Sequence, residues 1–239
     1  MSSQELTLIV AATKSMGIGA NGSMPWQGLR KEMQYFARVT TRLPPENEVR
    51  KKLRKGSWKA APGSVNAVIM GRKTWDSIPP KFRPLKDRLN IVVTRSARDT
   101  LLTPLPPKTL PLTEPLRVSS LERALMCADA RCGDGRVFVM GGAQIYEAAL
   151  ARREARRVLL TSIGREYGCD THFPLHLTCS PLPPLGWRRM DRAALEAWTG
   201  EQVEEGGQEE AGIKYEFQMW EKIPGSEVLN IRRTFERED

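Results

Sequence analysis

The chain has 239 residues, 40% hydrophobic and 27% charged, the proportions of a globular protein long enough to bury a sizeable core. Its longest apolar run near the start, LTLIVAA at residues 6–12, is far too short to span a bilayer and lacks a basic leader and a small-residue cleavage site, so neither membrane insertion nor secretion is expected. The net charge of +9 raises nucleic-acid binding as a class, yet +5 of it lies between Arg42 and Lys59, which reads as a solvated basic insertion, and no nucleic-acid partner is expected.

In chain order, residues 6–12 form the first expected strand, apolar throughout as a strand covered on both faces should be. Gly17, Gly19 and Gly22 follow with GxGxxG spacing, but Pro25 and Trp26 intervene before any helix, so the stretch reads as a glycine-hinged loop over a pocket rather than a dinucleotide fingerprint. A helix is expected over 29–40. On its wheel Leu29, Met33, Phe36, Val39 and Thr40 share an apolar stripe, opposite Arg30, Lys31, Gln34 and Arg38. Glu32 falls inside that stripe. A carboxylate there must be paired, protonated or functional, because burying it unpaired is costly.

The connection 43–64 carries the basic run, and 102–115 is proline-rich. Strands are expected at 65–70, 89–94, 137–140 and 158–163, alternating with helices at 72–77, 121–131 (Ser120 as N-cap) and 143–151. The alternation predicts an α/β fold with a mainly parallel sheet. Residues 187–192 and 213–222 read as an antiparallel hairpin at the sheet edge, joined by an acidic, glycine-bearing segment. The expected organisation is one domain over 1–223 with an inserted loop at about 43–64 and a charged tail at 224–239. Cys127, Cys132, Cys169 and Cys179 form no CxxC pair and only His172 and His176 accompany them, so no metal site and no disulfide framework is expected, and a reducing compartment suits them.

Three strand ends carry ligand-binding chemistry. Gly71 leads into Arg72, Lys73 and Thr74, two cations and a hydroxyl at the positive end of a helix dipole. Thr94, Arg95 and Ser96 form a hydroxyl–cation–hydroxyl triplet, and Gly141 and Gly142 open directly into a helix. Together they point to a ligand with more than one phosphate, bound beyond the carboxyl ends of the strands.

The motifs MGIGANGSMPW (16–26), LRKEMQYF (29–36), VIMGRKTWDSIPPKFRPLKDRLNIVVTRS (68–96), VFVMGGAQIY (137–146), DTHFP (170–174) and GIKYEFQMWEK (212–222) resemble dihydrofolate reductase in order and spacing, and the long 43–64 connection is similar to that of fungal members. The resemblance implies a central mixed sheet of eight strands, mainly parallel, flanked by helices and ending in an antiparallel hairpin. It implies NADPH-dependent reduction of 7,8-dihydrofolate to tetrahydrofolate in a cytoplasmic monomer that antifolates would inhibit. By the same resemblance Glu32 binds the pterin, with Trp26 and Thr161 as its catalytic supports. Ile9, Val10, Phe36, Ile78, Leu85, Met140 and Tyr146 belong to the substrate site, and Arg88 pairs with the folate α-carboxylate. Cofactor contacts fall on Ala11, Ile18, Gly22, Gly71, Arg72, Lys73, Thr74, Thr94, Arg95, Ser96, Gly141, Gly142, Ala143, Gln144 and Ile145, the two arginines reading the 2′-phosphate. Two rivals are a same-fold reductase acting on an aminopyrimidine and a basic nucleic-acid binder using residues 50–55.

Overall fold

The computed structural model describes residues 4–44, 64–99, 104–105, 112–177 and 186–224. Most of the basic insertion, the tail beyond Pro224 and Cys179 lie outside them.

The strands β1 (Leu6–Thr13), β3 (Asn66–Gly71), β4 (Arg88–Val93), β6 (Val137–Val139) and β7 (Ala155–Ile163) coincide with the apolar runs. They join β5 (Leu116–Val118), β9 (Trp187–Arg189), β10 (Gln208–Glu210) and β11 (Ile213–Lys222) in one nine-stranded sheet, ordered β10-β11-β7-β1-β6-β3-β4-β5 with β9 on β11. From β7 to β5 every pairing is parallel, and β9, β10 and β11 pair antiparallel. The strands lack polar alternation because both sheet faces are covered. On one face Ile9, Val68, Met70 and Phe138 pack with Tyr35 and Val39 of α1 (Arg30–Thr41), Trp75 of α2 (Arg72–Ser77) and Leu195 of α5 (Arg192–Thr199). The other face packs Leu8, Val10, Ala67 and Ile69 against α3 (Leu121–Arg131) and α4 (Ala143–Leu150). Ser120 caps α3, its side chain accepting from the Arg123 N–H at 3.1 Å.

The expected count of eight strands becomes nine, and the C-terminal hairpin differs from the expected one. β9 pairs only with the far end of β11, Trp187 opposite Lys222 and Arg189 opposite Trp220. Between them α5 forms because Asp191 caps its start, accepting from the Ala194 N–H at 2.8 Å, and Gly200 ends it at φ 71°. The tight hairpin is made by β10 and β11 within the acidic segment itself. Ala211 and Gly212, at φ 53° and 72°, are both left-handed as a two-residue turn matching sheet twist requires. The glycine-rich loop also holds a strand, β2 (Gly17–Gly19), paired antiparallel with β8 (Thr171–His172).

Candidate active site

The α1 helix places the acid where its wheel predicts. Glu32 is 8% exposed, on the apolar face of α1, and its Oε1 accepts a hydrogen bond from Thr161 Oγ1 of β7 at 3.1 Å. Burial drives its carboxyl up from 4.5 to about 7; the Thr161 bond opposes the rise and the Glu210 carboxylate adds to it. Thr161 sits opposite Ala11 of β1 and Phe217 of β11, so the sheet register fixes the hydroxyl's position. Leu29 gives α1 no side-chain cap, and Glu210 supplies one from β10. Its two carboxylate oxygens accept the Lys31 N–H at 2.9 and 3.2 Å.

Around Glu32 lies one apolar cluster. Ile9 and Trp26 are buried in it, and Ala11, Phe36, Ile78, Leu85 and Met140 pack half-buried against it. Trp26 meets Tyr167 with ring centroids 5.8 Å apart. Met33, expected inside the apolar stripe, is instead 50% exposed, and Met24 and Phe82 are exposed too. The α1 face is therefore only partly covered by protein, as a binding cleft requires. Arg88 is buried, donating Nη1 to Thr40 Oγ1 at 2.7 Å and Nε to the Lys86 carbonyl at 2.9 Å, with its Cζ 6.0 Å from the Phe36 ring centroid. Burial pulls it down to about 10, and among the described residues no carboxylate pairs with it at contact.

The other expected positions gather at the carboxyl ends of adjacent parallel strands. Gly71 pairs with Val93, so the Gly71–Thr74 turn and the Thr94–Ser96 triplet are neighbours. Arg72, Lys73, Arg95 and Ser96 are exposed. Arg72 pairs with Asp76 one helical turn on at 2.9 Å, and Thr94 and Ser96 share a hydroxyl–hydroxyl bond of 3.0 Å. The third turn closes onto the first through the Gly71 N–H, which donates to the Gly141 carbonyl at 2.7 Å. Gly141 and Gly142 are joined by a cis peptide, Gly141 lying at φ 108°. A Cβ on Gly142 would stand 3.4 Å from Thr74 Oγ1, and one on Gly71 3.3 Å from Ile145, so both lie at the floor of one cradle. Ala143, Gln144 and Ile145 open α4 directly behind that pair.

Two expected substrate residues stand further back. Val10 points into the core of the opposite sheet face from Ile9. Tyr146 is fully enclosed, packed edge-on against Phe173, and donates its hydroxyl to the Ile9 carbonyl at 2.7 Å; burial drives its phenol upward. Both act on the cluster from behind.

The glycine-hinged loop is pinned by segment 166–173. Ser15 donates its N–H and hydroxyl to Glu166 at 3.0 and 2.6 Å, the Asn21 N–H donates to Asp170 at 2.7 Å, and the Phe173 N–H to the Met16 carbonyl at 2.8 Å. Ile18 packs half-buried beneath it, while Gly22, at φ 77°, forms its exposed tip. The sequence singles out Asp170 and Phe173 of this segment, in the DTHFP motif, but not Glu166, Tyr167 or Glu210. The signal for Glu210 is an acid beside an Ala-Gly pair, within the acidic segment expected to join the hairpin strands.

A family model described as dihydrofolate reductase matches residues 59–180. The dihydrofolate reductase of Pneumocystis carinii is 38% identical over 224 residues, covering 91% of this chain and 96% of that protein. That of Candida albicans is 35% identical over 222 residues, covering 92% and 98%. Among solved structures, Schistosoma mansoni dihydrofolate reductase superposes with a TM-score of 0.61 at 29% identity, covering 92% of this chain and all of that one. Likeness of this extent, over about nine-tenths of the chain and nearly the whole of each relative, places the chain in the dihydrofolate reductase family, enzymes of the eukaryotic type that reduce dihydrofolate to tetrahydrofolate.

Proposed function

We propose that this chain reduces 7,8-dihydrofolate with NADPH, in the cytoplasm and as a monomer, and so supplies tetrahydrofolate for one-carbon metabolism. The observation that carries the reading is the buried carboxylate of Glu32, held by Thr161 beside an apolar cluster that is open on the Met33 side. A 2-amino-4-oxo pterin ring offers a ring N–H and an exocyclic amine side by side, and one carboxylate accepts both as a bidentate pair. Without ligand, burial keeps Glu32 near half-protonated at neutral pH, and a donor pair from substrate stabilises its ionised form. Arg88, buried with N–H groups to spare, supports a pairing with the substrate's carboxylate tail.

The residues at the three turns fit a dinucleotide phosphate. Gly71 and Gly142 keep the cradle open for close backbone approach, Thr74 and Thr94 offer hydroxyls, and Arg72 and Arg95 stand exposed for a 2′-phosphate. The chemistry supplied by the bound cofactor is a hydride for C6 of the pterin. The protein's own part is to align the ring against Glu32, exclude bulk water with the loop 17–24, and leave N5 to be protonated by a water. The experiment is oxidation of NADPH on adding dihydrofolate. Glu32→Gln is expected to lower turnover severely at neutral pH, and near-normal turnover would sink its assigned role. Arg95→Ala is expected to raise the NADPH Michaelis constant far more than the NADH one; equal effects would refute the phosphate assignment.

A further inference from the structure

At the opposite end of the sheet, where the parallel strands begin, two arginines lie over one tryptophan, and a third beside them bonds the next residue, Arg42 Nη1 donating to the Thr199 carbonyl at 2.8 Å. Arg136 directly precedes β6, and its Cζ lies 3.7 Å from the centroid of Trp198 on α5, whose carbonyl accepts from its Nη2 at 2.9 Å. Arg157 of β7 approaches the same ring, with Cζ at 5.2 Å. Arg42, just past α1, is tied to the same corner by Asn66, whose Nδ2 donates to the Arg42 carbonyl at 2.9 Å and whose Oδ1 accepts from the Arg136 N–H at 2.8 Å.

The three cations are not equally neutralised. Arg157 pairs with Glu221 at 2.7 Å and Glu5 at 2.9 Å, and Arg42 with the buried Glu201 at 2.8 Å. Arg136 has no carboxylate within ion-pair distance among the described residues, and beyond the Trp198 carbonyl its guanidinium donates to no protein atom there. It is half-buried, and burial together with repulsion from Arg157 and Arg42 pulls it down to about 10. Its neighbours have carboxylates of their own, so the stacked Arg136 guanidinium, with N–H groups that no described residue takes up, is the uncompensated positive charge of the corner.

We propose that Arg136, flanked by Arg42 and Arg157 on the Trp198 platform, forms a binding site for a phosphate group, separate from the substrate and cofactor site. The planar Arg136 fork, which no carboxylate of the described residues engages and which stands close enough to Arg157 and Arg42 to be repelled by them, suits an oxyanion with three or four acceptor oxygens. Trp198 fixes the Arg136 fork, so little side-chain freedom is lost on binding.

The test is calorimetric titration of the full-length protein with inorganic phosphate, in chloride buffer of matched ionic strength. Three proteins are compared: wild type, Arg136→Met and Arg95→Ala. Methionine keeps an unbranched apolar stem over Trp198 and relieves the repulsion, so Arg136→Met is expected to fold with normal turnover. Wild type is expected to bind phosphate in an event that survives Arg95→Ala and weakens at least about tenfold in Arg136→Met. Adenosine 5′-monophosphate separates the sources. Tighter binding than phosphate, still dependent on Arg136, assigns a phosphate ester; equal or weaker binding assigns the free ion. Should Arg136→Met fail to fold, Arg136→Lys, which keeps the charge but loses the planar fork, is expected to weaken phosphate binding about threefold or more. A wild type that binds no phosphate, or an isotherm unchanged by the Arg136 substitution, overturns the proposal.

Discussion

Glu32→Gln should make the protein more stable at alkaline pH while it disables the chemistry. The carboxyl titrates near 7 in the fold against 4.5 for an ordinary glutamate. At about 1.4 kcal/mol per unit, ionising it inside the protein is therefore about 3 kcal/mol harder than in the unfolded chain. A raised folded value means the proton is held more tightly in the native state. The stability it contributes is thus full below about pH 4.5 and is lost as pH rises through about 7. Glutamine fills the same space and does not titrate. Urea unfolding of both proteins at about pH 5 and about pH 8 should show their stability difference growing by about 2.5 kcal/mol in favour of the variant. Every other titrating group appears in both proteins, and those not facing Glu32 cancel. A difference that stays flat across that interval would show that Glu32 is not carrying this desolvation, and the account of the site as a buried acid would fail.

Arg88→Met should raise the Michaelis constant for dihydrofolate about 10- to 100-fold and leave that for NADPH unchanged, because the lost partner is a charge-assisted donor to the substrate tail; steady-state kinetics with each substrate varied checks it. Glu210→Gln removes the negative charge facing Glu32 from β10, and Thr161→Val removes the hydroxyl that donates to its carboxylate. Their single-turnover pH profiles should move in opposite directions, the first to lower pH and the second to higher. Gly141→Ala forces a side chain onto φ 108° with its Cβ 3.1 Å from the Tyr146 ring. It should weaken NADPH binding at least about tenfold and lower the Tm, measured by fluorescence titration and calorimetry, since left-handed strain and displacement of Tyr146 act together.

What was legible in the sequence was whatever depended on short-range pattern. The apolar runs at β1, β3, β4 and β7 announce strands covered on both faces, and Ser120 marks the start of α3 through its own hydroxyl. The misplaced acid stood out because an amphipathic wheel assigns each residue a side without knowing what lies there, which is also why Met33 was misjudged. The wheel cannot distinguish a face covered by protein from one left open for a ligand. Pairings of two or three residues, such as β2 with β8, have no local signature, since their strands are too short to show a period and are held by partners such as Glu166 and Asp170 far along the chain. The segment between β9 and β11 reads as a plain hairpin connection because its helix, α5, is set by one cap, Asp191, and its turn by two left-handed residues, Ala211 and Gly212.

The remote cap on α1 bears on how the protein comes to be made. Glu32 takes its hydrogen bond from a residue 129 positions later, and the amide of its neighbour Lys31 takes its carboxylate from one 179 positions later. During vectorial synthesis the acid leaves the ribosome early, on a helix whose first turn has no cap of its own. It then waits for β7, and after that for the hairpin that carries Glu210. Nascent chains stopped before residue 210 therefore hold the turns at Gly71, Thr94 and Gly141 yet lack the clamp on the α1 start, and competence should arrive late and abruptly, with the last strands to join the sheet.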